Sequence, residues 1–81
     1  MNIDANKICG RCLAQLREKA GLTQVELAKR LNVPQSFVSK VETGERSLRA
    51  YELFDYAYAL GVDVHSVVSC LGSALEDIGR R

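Results

Sequence analysis

An all-α domain of five short helices is the fold the sequence predicts, and three observations carry that prediction. Apolar residues recur with a helical period through nearly the whole 81-residue chain. The strict alternation expected of half-buried strands is not sustained anywhere. Stop signals return at helical spacing: Gly21, Asn32, Gly44, Gly61 and Gly72 each follow a periodic apolar segment, where a left-handed C-cap wants Gly or Asn.

The first helix is expected over about residues 7 to 20, with Ile8, Leu13, Leu16 and Ala20 toward the core. The second, over 24 to 31, has the best-marked start. Thr23 and Glu26 have the spacing of a reciprocal capping box, and Leu22 can staple onto Leu27. Val25, Leu27, Ala28 and Leu31 are its core positions. The third helix is expected over 35 to 43, packed through Val38 and Val41. The fourth, over 48 to 60, is assigned Ser47 as its cap and Leu53, Tyr56, Ala57 and Leu60 as its buried face. The fifth, over 64 to 71, is capped by Asp63 and carries the i, i+3, i+4, i+7 stripe Val64, Val67, Val68, Leu71. Ser73 with Glu76 reads as a second capping box, which would open a short sixth turn through Ile78.

Composition sets the outer limits. With 47% apolar and 26% charged residues, one Pro and six Gly, the chain is an ordinary globular sequence, and its length suits one domain spanning 1 to 81. No stretch approaches the roughly 20 apolar residues that span a bilayer. Met1, Asn2, Ile3 and Asp4 do not start a signal peptide. A cytoplasmic protein without membrane association is expected. So small a chain has little room for a deep substrate pocket beside a core. It also has no phosphate-cradling Gly-rich loop, no nucleophile elbow and no His with a Ser or Cys partner. The expectation is a binding protein rather than an enzyme, with no cofactor and no metal.

The net charge of +1 names no partner, but its distribution is uneven. Residues 7 to 49 hold nine Lys/Arg against four Asp/Glu, while residues 50 to 81 hold two against five. A basic front for a polyanion and a neutral-to-acidic rear for packing follow from that asymmetry.

Residues 24 to 43, QVELAKRLNVPQSFVSKVET, read as two helices joined by a tight turn. Ala28 is small where the helices approach, and Asn32 tolerates the positive φ that the turn needs. The longer run LREKAGLTQVELAKRLNVPQSFVSKVETGERS, followed by LFDYAYALGV, resembles the Cro/C1-type (XRE-like) helix-turn-helix regulators over about residues 11 to 71. The agreement is in order and spacing: Arg17, GLTQ at 21 to 24, ELA at 26 to 28, SKVE at 39 to 42, Gly44, Arg46, and Leu53 through Gly61. The resemblance implies a compact five-helix, lambda-repressor-like domain that binds operator DNA, usually as a homodimer on an inverted repeat. The chain departs from the pattern at Asn32, where glycine is usual, at Pro34, where Ser or Thr is common, and at Leu48, which replaces a frequent proline. Pro34 suits a first helical turn, although a capping hydroxyl is lost.

Each candidate site residue has a chemical reading. The third helix would enter the major groove N-terminus first, which makes Gln35, Ser36 and Lys40 candidates for base edges, with Gln suited to adenine and Lys to guanine. Phe37 could touch a thymine methyl or pack against the second helix and the following loop. Thr23 and Gln24 stand at the open N-terminus of the second helix, where a phosphate is favoured, and the family places a phosphate-binding glutamine at the position of Gln24. Ser39, Thr43 and Arg46 are further phosphate candidates, and Ser39 could instead fill a tight helix contact. The resemblance makes Arg17 and Glu42 an ion pair tying the first helix to the third.

Phe54, Tyr58, Val64, Val68, Leu71 and Leu75 offer more apolar surface than a five-helix core needs. Self-association is the simple use, with residues 72 to 81 as a tail that adds to the contact. The alternative is an antitoxin that also grips a toxin, or another partner protein such as polymerase. Cys9 and Cys12 form a C-x-x-C, with Cys70 as the third thiol. With one His and no second C-x-x-C, packing is the main reading, and a redox-responsive pair of Cys9 and Cys12 is the alternative.

Overall fold

A computed structural model describes residues 4–77 as five helices: α1 (Ala5–Lys19), α2 (Gln24–Leu31), α3 (Gln35–Thr43), α4 (Ala50–Leu60) and α5 (Val64–Asp77). The helices begin and end where local chemistry dictates. Asp4 caps α1 by accepting from the Lys7 amide at 3.3 Å. The capping box of α2 is formed in both directions, with the Glu26 amide donating to Thr23 Oγ1 at 3.1 Å and the Thr23 amide donating to Glu26 Oε1 at 2.8 Å. Asn32 takes the left-handed conformation (φ 60°) that closes α2, and Gly21, Gly44 and Gly61 take it at the turns after α1, α3 and α4. Pro34 opens α3 without a side-chain cap.

Three boundaries differ from the sequence reading, the first being the start of α1 at Ala5 rather than near residue 7. α4 starts at Ala50 rather than near residue 48, and Ser47 is not its cap. Glu52 lies three residues after Arg49 and accepts from the Arg49 amide at 2.8 Å, so the reach of that carboxylate sets the N-terminus. α5 does not stop at Gly72 but continues to Asp77, which absorbs the sixth turn expected from Ser73, and Ile78 lies outside the described residues. A glycine inside a helix costs roughly 1 kcal/mol against alanine. The apolar stripe continues past it through half-buried Ala74 and Leu75, and that packing offsets the cost.

The core gathers Leu13 from α1, Leu27 and Ala28 from α2, Val38 and Val41 from α3, Tyr56, Ala57, Ala59 and Leu60 from α4, and Val67 from α5. Ala20, Val25 and Val68, expected inside, are exposed. A one-residue step turns a helix face by about 100°, so Val68 beside buried Val67 points away, as does Val25 two positions before Leu27. Tyr56 is 1% exposed, and burial pushes the pKa of its hydroxyl well up, so it stays protonated.

α1 is the central strut, packed on α3 along one side and on α5 along another. Its contact with α3 depends on Gly10. A Cβ there would meet the Val41 carbonyl oxygen, would lie 2.5 Å from the Glu42 carbonyl oxygen and 2.8 Å from the Glu42 carbonyl carbon. On the α5 side, buried Cys12 is joined to Cys70 by a disulfide with Cα atoms 6.7 Å apart. Cys12 is buried, as the packing reading expects, and its bond to Cys70 replaces the alternative of a Cys9–Cys12 pair. Cys9 lies one turn earlier on α1, while Cys70 comes from a helix packed against it.

No single helix among the described residues is long and apolar enough to cross a membrane.

Candidate nucleic-acid interface

The amphipathic character of α3 fixes what it presents. Val38 and Val41 are buried against α1 and α2, so the opposite side, bearing Gln35, Ser36 and Lys40, is exposed. Those three residues fall within about a turn and a half of helix. Among the described residues Lys40 has no ion pair, which leaves its ammonium available to an outside acceptor. Ser39 and Phe37 are half-buried at the edges of this face.

Behind the face runs a continuous polar relay. Arg17 of α1 donates through Nε to Glu42 Oε2 at 2.7 Å and through Nη2 to Glu42 Oε1 at 3.2 Å, and its Nη1 reaches the Leu22 carbonyl at 2.8 Å. The side chains are only 12% and 6% exposed, so this is a largely dehydrated, two-pronged pair. The hydrogen bond that Arg17 donates to the Glu42 carboxylate raises the Arg17 pKa, with burial opposing it. Gln24 then donates from Nε2 to Glu42 Oε1 at 2.8 Å and accepts from Gln35 Nε2 at 2.7 Å. The ion pair expected of Arg17 and Glu42 is present. What the sequence does not reveal is that Gln24 spends its amide on Glu42 and orients Gln35 at the tip of α3.

The loop after α3 holds a second cluster. The Arg46 guanidinium donates to Glu52 at 3.0 and 3.3 Å and to the Ser47 carbonyl at 2.9 Å, and it lies 4.4 Å above the Phe37 ring. The ring itself packs against the core and lines a small cleft with Leu31, Val33 and Tyr56. The packing expected as one alternative for Phe37 is present, with one face of the ring under Arg46. Arg46 carries a charge already balanced by Glu52. The Thr43 hydroxyl donates to the Lys40 carbonyl at 3.2 Å and to Glu45 at 3.3 Å. The signal for the Arg46 pair was present in the sequence as an arginine six residues before an N3 glutamate.

The helix-turn-helix family profile matches residues 13–66, more than half of the chain and all of α2, the turn and α3. The chain belongs to the Cro/C1-type helix-turn-helix family. This helix-turn-helix protein is 38% identical over 60 residues, covering 74% of its length and 78% of the relative's, to an HTH-type transcriptional regulator, y4dJ, of Sinorhizobium fredii (strain NBRC 101917 / NGR234). Among solved structures it is 40% identical to an XRE-family-like protein from Pseudomonas syringae pv. tomato str. DC3000, with a TM-score of 0.73 over 85% of this chain and 84% of that one. It is 31% identical to the restriction-modification controller protein C.AhdI from Aeromonas hydrophila, with a TM-score of 0.69 over 79% and 96% of the two chains. The five-helix fold and the function class agree, and this Cro/C1-type protein is a DNA-binding transcriptional regulator.

In this regulator the hydrogen bonds from Arg46 and then from the Arg49 amide hold the Glu52 carboxyl below the usual carboxylate range. A carboxyl with a lowered folded pKa contributes stability that is present above its unfolded value and lost as pH falls toward the folded one. Thermal midpoints measured from pH 7 downward should therefore hold to about pH 4.5 and fall below it. Glu52→Gln should lower the midpoint at pH 7 and flatten the acid slope. An acid slope identical in the variant and the wild type would remove Glu52 from the account.

Proposed function

We propose that α3 lies in the major groove of duplex DNA and reads base edges with Gln35, Ser36 and Lys40. The observation that carries this reading is their exposure on one face of a helix whose other face, Val38 and Val41, is locked in the core. Gln35 arrives with one amide hydrogen held by Gln24, so its remaining donor and acceptor are oriented before contact. Preorganisation of that kind lowers the entropy lost on binding. Thr23 and Gln24 at the start of α2, with Ser39, Thr43 and Arg46 around α3, are the groups proposed to meet phosphate oxygens. The Glu52 partner reduces the share expected of Arg46.

The regulator is proposed to act in the cytoplasm as a homodimer on an inverted repeat. Phe54 at 62% and Tyr58 at 90% exposure, joined by exposed Tyr51 and Val68, supply an apolar surface for the second copy. Tyr51 completes an i, i+3, i+7 aromatic row with Phe54 and Tyr58 that the sequence reading left out. Val64, Leu71 and Leu75 are half-buried and contribute less.

The test is the affinity of Lys40→Ala for duplexes that differ at single base pairs. Loss of a good base contact should erase about 1–3 kcal/mol of discrimination at particular positions and leave the other positions unchanged. Uniform weakening across all duplexes would assign Lys40 to phosphate instead of base.

A further inference from the structure

We propose that the Cys12–Cys70 disulfide is a reversible redox clasp between α1 and α5 that controls the affinity of the regulator for two-half-site DNA. The inference rests on the DNA-binding reading above and adds its regulation. Three features of the molecule support it. First, the bond joins two elements with different tasks: Cys12 sits two residues from Gly10, where α1 touches the α3 backbone, while Cys70 lies on α5, which packs on both α1 and α4. α1 is thus the element that α3 and α5 share. Secondly, a cleft of about 160 Å³ runs beside α1, lined by Gly10 and Leu13 of α1, Val41, Leu48 of the α3–α4 loop and Leu53, and closed on the α5 side by Leu71, the neighbour of Cys70. Thirdly, a protein that reads DNA works beside thiol-reducing systems, where protein disulfides are uncommon and, when they form, are mostly transient and redox-sensing.

The chemistry balances with hydrogen peroxide as oxidant. The half-buried Cys70 thiolate attacks a peroxide oxygen, so the O–O bond breaks, an S–O bond forms and hydroxide leaves as water. The Cys12 thiolate then attacks the Cys70 sulfur. The S–S bond forms, the S–O bond breaks and a second water leaves, two thiols having given two electrons to one peroxide. A low-molecular-weight thiol reverses the bond by exchange, and two equivalents leave as their own disulfide. With the clasp closed, α5 is fixed on α1 and the α4–α5 surface that joins two copies keeps one geometry. With it open, that surface loses its fixed placement and the two recognition helices lose their spacing.

The experiment compares full-length protein treated with hydrogen peroxide or with dithiothreitol, mapped by non-reducing peptide mass spectrometry and titrated on a duplex selected for binding. The expected result is a Cys12–Cys70 linked peptide in the oxidised sample only, with affinity about tenfold tighter than in the reduced sample. Cys70→Ser should bind at the reduced level under both treatments, and Cys9→Ser should respond as the wild type does. The proposal is overturned if no linked peptide forms, if oxidised and reduced protein bind equally, or if Cys9→Ser abolishes the response. Equal binding in both states leaves the DNA-binding reading intact, whereas failure of both states to bind any duplex overturns the two together.

Discussion

Gly10→Ala is expected to destabilise the regulator by roughly 1–3 kcal/mol or more, although alanine is the better helix former. Two effects compete. Replacing a helix-interior glycine by alanine ordinarily gains about 1 kcal/mol. The new methyl, however, would meet the Val41 and Glu42 carbonyls, and these are backbone groups of α3 that cannot rotate away as a side chain could. Overpacking therefore wins, and α1 and α3 must separate along the seam that supports the recognition face. For a domain of this size each kcal/mol lowers the thermal midpoint by about 4–8 °C, so calorimetry of the variant reads the effect directly. An unchanged or raised midpoint would mean that the two helices do not approach as closely as described.

Glu42→Ala should have the largest effect of any single polar substitution, about 3–5 kcal/mol. The carboxylate is the shared acceptor for Arg17 and Gln24, and its removal leaves the 12%-exposed guanidinium of Arg17 with only the Leu22 carbonyl and a distant contact to Glu18. A charge left unpaired in such a place costs far more than the pair contributed. Gln24 also loses its anchor, so the orientation of Gln35 is lost with it. Because a small domain has about 5–15 kcal/mol of stability in total, the urea midpoint should fall steeply. Replacing Arg17 and Glu42 together by methionine should recover much of that loss, since no charge is then stranded. A single variant with an unchanged midpoint would show that the pair is solvated. The Arg46–Glu52 pair is the contrast: Arg46 is 31% exposed, water shares the work there, and breaking the pair should cost about 1 kcal/mol or less.

Much of the architecture was legible because the signals are local. Thr23 with Glu26, Asn32, Gly44 and Gly61 each determine a boundary through groups three or four residues apart, and each does so here. Gly72 shows why one residue type is insufficient. Gly61 is followed by Asp63, which accepts from the His65 amide at 2.8 Å and starts a new helix, whereas after Gly72 the apolar row simply continues. What the sequence hid is non-local. A glycine within a helical pattern does not announce the partner it touches, and Gly10 carries no sequence signal of its approach to the α3 backbone. Cys12 and Cys70 are separated by 58 residues, and only the packing of α5 on α1 brings them together. At the interface, residue types set the candidates but not their partners. Gln24 and Arg46 are each engaged by an internal carboxylate, Glu42 for the first and Glu52 for the second.

The central claim is that the exposed face of α3 reads duplex DNA in pairs, and selection of bound sequences from a random duplex pool tests it most directly. The expected result is enrichment of an inverted repeat whose half-sites lie about one helical turn apart, 10–10.5 base pairs centre to centre. Gln35→Ala and Lys40→Ala should change the recovered sequence at separate positions. A pool that emerges unenriched at low salt, or an unchanged motif in both variants, would contradict it.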